Sequence, residues 1–464
     1  MSESTQMLLG LVIGIALMIF LVSKTKVHTF IALLLAAIVT GLIGGMAPSG
    51  IISAVQDGFG NTLKSTGIII GLGVMMGGIL EKSGAAEKMA YSFIKAVGRK
   101  KEEWALAITG WFISIPVFAD SAIVIFAPLC KGISKVSGKS IVGLGLAMAA
   151  GLQLTHCLVP PTPGPTTAAD MLGVDLGQMI MLGAAISVPM LIIAVFYCKW
   201  IGKKIYQIPL NNGGFERKEY KEEYIKSMDD FNKVIAEKQL PSLGWSIAPI
   251  VVPLILILTN TILGFAGVKE GTVYEISALL GAPIVALGIG TVLAIYGLML
   301  KEPKKDVLGC MNDAIKDSGI IMLITGAGGA LGNVIKVSGA GDALGDLVAN
   351  SPLPAVLIPF VIAALMRIAL GSATVAITTA ATLSVSLMAS LSVSPLLMAM
   401  SCCVGAISFS YFNDSGFWVW NGMFGVDELK DQVRCKTAIS LIMAGVGIVE
   451  LLVLSFILPV PPVA

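Results

Sequence analysis

The sequence predicts an all-α polytopic membrane protein of two inverted repeats, each with five transmembrane helices and one re-entrant helical hairpin. Three observations predict it. First, 56% of the 464 residues are hydrophobic and only 13% are charged. A soluble domain carries about 25% charge, so this chain cannot cover a water-facing surface. Second, the chain repeats itself. Met171-Leu172-Gly173-Val174-Asp175 recurs as Met423-Phe424-Gly425-Val426-Asp427, an offset of 252 residues (171 to 423). The same offset carries Lys64-Ser65-Thr66-Gly67-Ile68-Ile69 onto Lys316-Asp317-Ser318-Gly319-Ile320-Ile321, and Pro161-Thr162-Pro163-Gly164 onto Asn413-Asp414-Ser415-Gly416. A two-fold repeat in an apolar chain is a signature of secondary transporters, whose substrate site lies where the repeats meet. Third, lysine and arginine alternate between the predicted loops in one consistent sense.

The first repeat, 1–201, has apolar stretches at 7–22, 28–46, 66–80, 140–158 and 177–199. The first lacks an A-x-A cleavage site and is expected to be a membrane helix rather than a removed signal peptide. The second repeat, 245–464, has them at 245–265, 275–300, 319–334, 394–412 and 437–458. Each repeat adds one long apolar stretch with a polar break, 104–130 and 353–389, long enough for a hairpin that returns to its own side. Each also has an expected unwound helix, at 140–170 and 394–424. Broken backbone at membrane depth is tolerated only inside protein or along a cavity.

Charge sets the expected orientation. With both termini outside, the basic residues at 24–26, 82–101, 131–139, 301–305 and 430–436 fall in cytoplasmic segments, as does the 202–244 linker. The external loops keep little beyond Lys64, Lys269 and Lys336. That is the asymmetry the positive-inside rule requires. An odd number of crossings per repeat then inverts the second repeat. The 202–244 segment is polar and is expected to be a solvated connector.

Four places interrupt the apolar pattern. In the first hairpin, Pro116 breaks the helix before Asp120 and Ser121. An intramembrane carboxylate is costly and points to function, here as a proton carrier, and Asp120 or Ser121 would also cap a helix. In the second, the prolines of 160–165 end a helix after His156 and free backbone groups around Thr162, Gly164 and Thr166. His156 reads equally as a proton carrier and as a structural histidine bonded to a carbonyl. In the third, Arg367 precedes Gly371, Ser372 and Thr374. A guanidinium matches a carboxylate with two parallel bonds, and Arg367 reads equally as a substrate contact and as a permanent partner of Asp120 or Asp414. In the fourth, Asn413, Asp414 and Ser415 form a polar turn, with Asp414 a third candidate for the proton. Phe417, Trp418 and Trp420 there read as packing or interfacial aromatics. Convergent half-helix N-termini suit an anion, and the hydroxyls suit a hydroxylated one, so a small hydroxy-carboxylate is the expected substrate.

Other chemistry finds no footing. The glycines of 67–78 and 326–332 lie in apolar helices and read as close packing. The Gly138-Lys139-Ser140 run has the wrong spacing for a phosphate loop and no preceding strand. Seven cysteines show no metal-ligand spacing, and two histidines cannot supply paired ligands for several haems. No metal or cofactor is expected, and a membrane redox subunit or a passive channel ranks below a transporter. A sodium-coupled organic-anion symporter is the nearer alternative.

Thr155-His156 with 160–166, Arg367 with 371–376, and 413–418 resemble the gluconate permease (GntP) family of proton symporters over essentially the whole chain. The resemblance implies proton-driven uptake of gluconate or a related hydroxy acid such as glycerate across the inner membrane. It is similar in turn to the wider superfamily of elevator-type transporters, usually dimers. The gluconate members carry histidine at the position of Thr162 and a Tyr-Glu pair near Ala119-Asp120. These departures favour a smaller hydroxy acid.

Overall fold

The computed structural model describes residues 3–97, 101–115, 119–210, 214–222, 240–266, 268, 270–339, 352–388, 390–411 and 414–458. They are mostly helical. The first half runs α1 (Glu3–Lys24), α2 (Thr29–Ile43), α3 (Pro48–Lys82), α4 (Ala85–Val97), α5 (Glu102–Ile113), α6 (Ala119–Ser137), α7 (Ile141–Leu158), α8 (Pro163–Met171) and α9 (Leu176–Lys204). A short antiparallel hairpin follows, β1 (Gln207–Pro209) with β2 (Phe215–Arg217). The second half runs α10 (Leu243–Phe265), α11 (Thr272–Gly281), α12 (Pro283–Leu298), α13 (Lys304–Val337), α14 (Ile358–Leu370), α15 (Ala373–Val385), α16 (Pro395–Ile407), α17 (Ser415–Phe424), α18 (Leu429–Gln432), a π-helical turn Val433–Thr437, and α19 (Ala438–Ile457). Among the described residues, Ile141–Met171, Leu176–Lys204, Leu243–Gly264 and Leu429–Ile457 are each long and apolar enough to cross a membrane. The protein is therefore a polytopic, mostly helical membrane protein.

Local chemistry sets the helix ends. Side chains of Asp175, Ser242, Ser372, Ser394 and Asp414 accept from amides in the first turns of α9, α10, α15, α16 and α17. Each satisfies a donor that the helix itself cannot. Pro163, Pro283 and Pro395 start α8, α12 and α16, where a missing N–H costs nothing.

Several boundaries differ from the sequence expectation. The stretches expected at 66–80 and 319–334 are the later parts of longer helices: α3, 35 residues bent by 44° between Pro48–Lys64 and Gly67–Lys82, and α13, 34 residues. The two helices pack on each other through glycine. A Cβ on Gly58 would lie 2.4 Å from the Gly329 carbonyl oxygen, so the backbones touch directly. That confirms the packing reading for the second glycine string, where Gly328 and Gly332 also seat Thr378 and Thr382. The expected single span 275–300 is two helices, α11 and α12, meeting at 65°. Part of the charged 82–101 stretch is a helix, α4, and α6 runs on to Ser137.

The expected connector begins as packed structure. Gln207 Nε2 donates to the carbonyls of Phe424 and Gly425 at 2.9 Å each, and Arg217 pairs with Asp431 at 2.6 Å. The first residues of the linker thus clasp the second half. Residues 223–239 of the linker and the tail 459–464 lie outside the described residues.

The interior is formed by α7, α8, α15 and α16, which pack on one another. Every residue of α7 is buried except His156. Such a helix is apolar all round because it has no water-facing side. Gly151 on α7 lies against Ala107 of α5, and Gly405 on α16 against Phe360 of α14, each where a Cβ would collide with backbone. Gln153 Nε2 donates to the Ile407 carbonyl at 3.1 Å and ties α7 to the end of α16.

Candidate functional site

The site grows from two interruptions brought together by packing. The first lies between α7 and α8. The Pro160-Pro161 bond is cis, and Thr162 Oγ1 donates to the Val159 carbonyl at 2.7 Å. Pro163 and Pro165 carry no N–H, so among the first three positions of α8 only Gly164 offers an amide donor. Gly164 sits directly against α15. A Cβ there would lie 2.8 Å from Ile377 Cδ1 and 3.5 Å from Thr374 Cα.

The second interruption joins α14 to α15. Gly371 adopts a left-handed φ of 77°, which ends α14 and is open to glycine at little cost. Arg367, 3% exposed, donates from Nη1 to the Gly371 carbonyl and from Nη2 to the Asp414 carboxylate. Asp414, 8% exposed, also accepts from Ser410 Oγ at 2.5 Å and from the Gly416 amide at 3.0 Å. One carboxylate therefore caps α17, anchors a hydroxyl and neutralises a guanidinium. Of the five N–H donors of arginine, these bonds use two, and Nε is buried with no partner among the described residues.

The two interruptions meet at the start of α15. Thr374 Oγ1 lies 3.4 Å from His156 Nε2, joining the halves across the site. Around them the hydroxyls of Thr166 and Thr167 on α8 and Thr379 on α15 are buried without partners among the described residues. Buried polar groups left unpaired cost about 1–3 kcal/mol each, which makes these hydroxyls candidates for contact with a polar ligand.

Of the residues singled out from sequence, His156, Thr162, Gly164, Thr166, Arg367, Gly371, Ser372, Thr374 and Asp414 lie at these two interruptions. Arg367 takes Asp414 as its partner. Asn413 and the side chains of Asp120, Ser121, Ser415 and Trp418 lie outside the described residues, as does the break at 116–118. By backbone, Asp120 and Ser121 open α6, and α6 packs against α17. Phe417 and Trp420 are buried packing residues. The sequence reading gave no role to Ser410, Thr167 and Thr379; the available signal was position, Thr167 and Thr379 each adjoining a second threonine and Ser410 lying in the coil before α17. It placed Lys139 and Lys436 in cytoplasmic segments and gave them no partners. Lys139 instead bridges Glu102 and Glu103 at 2.8 and 2.6 Å, and Lys436 is buried in the π-helical turn beside Thr437, which donates to the Ser410 carbonyl.

Comparison with known proteins agrees with this architecture. Residues 6–457 match the family described as GntP family permease. An uncharacterised permease of Haemophilus influenzae is 43% identical over 97% of this chain and 92% of its own. The gluconate permease of Pseudomonas aeruginosa is 31% identical over 99% of both chains. The L-idonate transporter of Escherichia coli is 31% identical over 96% of this chain and 98% of its own. In fold, the chain resembles the Neisseria gonorrhoeae efflux pump MtrF, with a TM-score of 0.62 over 96% of this chain and 99% of the pump, at 14% identity. It also resembles the YdaH transporter of Alcanivorax borkumensis, with a TM-score of 0.63 over 93% and 99% of the two chains, again at 14% identity. Matched along nearly its whole length, the chain belongs to the GntP permease family and is a transport protein, not an enzyme.

Proposed function

We propose that this permease is a secondary active transporter that takes up a small hydroxylated monocarboxylate together with protons, by alternating access. The observation that carries the reading is Arg367: buried, oriented by Asp414 and Gly371, and still holding uncommitted donors. A carboxylate fits those donors, and the unpartnered hydroxyls of Thr166, Thr167 and Thr379 fit substrate hydroxyls. Gluconate and L-idonate, named for two of the relatives, belong to that chemical class. Glycerate is its small end, favoured by Thr162 at the site. Ser121, Thr162, Gly164, Thr166, Gly371, Ser372, Thr374, Asn413 and Ser415 would complete the substrate shell. With both Asp414 oxygens engaged, Asp120 and His156 remain as proton carriers. A substrate anion arriving beside an acid favours its proton-bound form, which is the coupling.

Two inverted repeats, 1–201 and 245–464 about the 202–244 linker, are consistent with the packing. α8 of the first half lies on α15 of the second, and α17 of the second lies on α6 of the first. Helix pairs α5–α6 and α14–α15 would form the two re-entrant hairpins, and the elevator-type movement and homodimer implied by the resemblance belong to the same proposal. Both termini would be extracytoplasmic and the linker cytoplasmic.

The test is accumulation of labelled gluconate and glycerate in proteoliposomes. An inward proton gradient should drive uptake above equilibrium, a protonophore should abolish it, and Asp120→Asn should remove the drive. Uptake that ignored pH and required sodium would overturn proton coupling. Equilibration without accumulation would make the protein a channel.

A further inference from the structure

The end of α9 brings an exposed apolar helix face next to a group of lysines. Val188, Ile192, Phe196 and Trp200 recur every four residues on α9 and are all exposed, between 39% and 58%. On one helix face this spacing makes a continuous apolar stripe, which in a membrane protein faces lipid. The stripe ends beside three lysines. Lys199 stands 5.5 Å from the Trp104 ring centroid, Lys203 5.4 Å from Tyr220, and Lys204 4.4 Å from Trp200. Among the described residues no carboxylate pairs with any of the three.

Lys199 and Lys203 line a cavity of about 300 Å³ beside the stripe, with Tyr206 and Tyr220. The lining also carries carboxylates. Glu103 is there with Lys139, which it binds at 2.6 Å, and Glu222 stands nearby. The lining thus combines lysine ammonium groups with carboxylate and tyrosine hydrogen-bonding groups.

We propose that this cavity binds the headgroup of an anionic glycerophospholipid of the phosphatidylglycerol kind. The phosphate would sit on Lys199 and Lys203, steadied by Lys204. The glycerol hydroxyls would donate to the Glu103 and Glu222 carboxylates, and the acyl chains would lie along the Val188 to Trp200 stripe. Each lysine near a membrane surface contributes attraction for anionic lipid worth about a fivefold change in affinity, and ammonium groups held on aromatic rings are already placed at the interface.

The experiment is native mass spectrometry of the full chain after exchange into vesicles of equal phosphatidylglycerol, phosphatidylethanolamine and phosphatidylcholine. The wild type should retain phosphatidylglycerol about 25-fold over the other two, about fivefold for each of the two lysines under the phosphate. K199Q/K203Q/K204Q should lose that preference, and K199R/K203R/K204R should keep it. Lys301→Gln, remote in sequence, should leave it unchanged. Equal retention of the three headgroups by the wild type, or undiminished preference in the triple glutamine variant, would overturn the proposal. Displacement of the lipid by millimolar inorganic phosphate would make this a site for soluble phosphate and would overturn the lipid assignment. Because the readout is lipid retention, it is independent of whether gluconate is transported.

Discussion

Replacing Asp414 by asparagine keeps the shape of the α17 cap and removes only charge. The substituted amide would still accept from Gly416 through its carbonyl oxygen, but Arg367, 3% exposed, would be left as a buried cation with no counterion. Breaking a buried pair from one side costs about 3–5 kcal/mol. Two surviving bonds, to Gly371 and at the cap, place the expected loss near the lower end, about 3 kcal/mol. Arg367→Gln should cost a similar amount, because it strands the Asp414 carboxylate. The double substitution leaves no lone charge, so it should cost about as much as either single one. The expected coupling is about 3 kcal/mol, the upper end for residues in direct contact. Unfolding in mixed detergent micelles measures all four corners of the cycle. Single costs that add in the double variant to within about 0.5 kcal/mol would refute the pairing. Substrate adds a second readout. At a hundred times its Kd, a ligand stabilises the folded state by about 2.7 kcal/mol. Gluconate or glycerate should give such a gain in the wild type and none in the double variant; an equal gain in both would remove Arg367 from substrate binding.

Three further outcomes follow from close contacts. Gly164→Ala should cost about 1–2 kcal/mol and slow uptake, because its Cβ meets Ile377 Cδ1 at 2.8 Å; adding Ile377→Val, which deletes that atom, should restore both melting temperature and transport. Gly58→Ala should cost about 3 kcal/mol, since the 2.4 Å contact is with backbone that cannot turn away, whereas Gly60→Ala, facing open space on the same helix, should be neutral or stabilising by thermal melt. Arg217→Gln should cost about 1 kcal/mol by leaving Asp431 buried and unpaired, a value reduced by the 46% exposure of Arg217; Asp431→Asn in the same chain should recover most of it.

The interruptions were legible because proline and glycine act locally. Four prolines between 160 and 165 end α7 whatever surrounds them, and a glycine after Arg367 marks the end of α14. The long helices were not legible in full. Asp57, Lys64, Asp313 and Lys316 fall within α3 and α13 and look like loop residues by polarity, yet both helices run past their apolar cores and pack on each other, with Gly58 against Gly329. The β-hairpin at the start of the linker was equally hidden, since its anchors, Phe424, Gly425 and Asp431, lie more than 200 residues away.

By itself the sequence determined that the chain spans a membrane, that short runs recur 252 residues apart, and which polar residues stand beside the proline and glycine interruptions. Those properties follow from solvent transfer and from missing N–H groups, which act over a few residues. Only the tertiary structure decided what the polar residues face. Arg367 had three possible fates in the sequence; packing gave it Asp414, 47 residues on, while leaving part of its guanidinium uncommitted. His156 met Thr374 from the other half for the same reason. A buried charge takes the partner that packing brings within reach, and that choice is made by the whole fold.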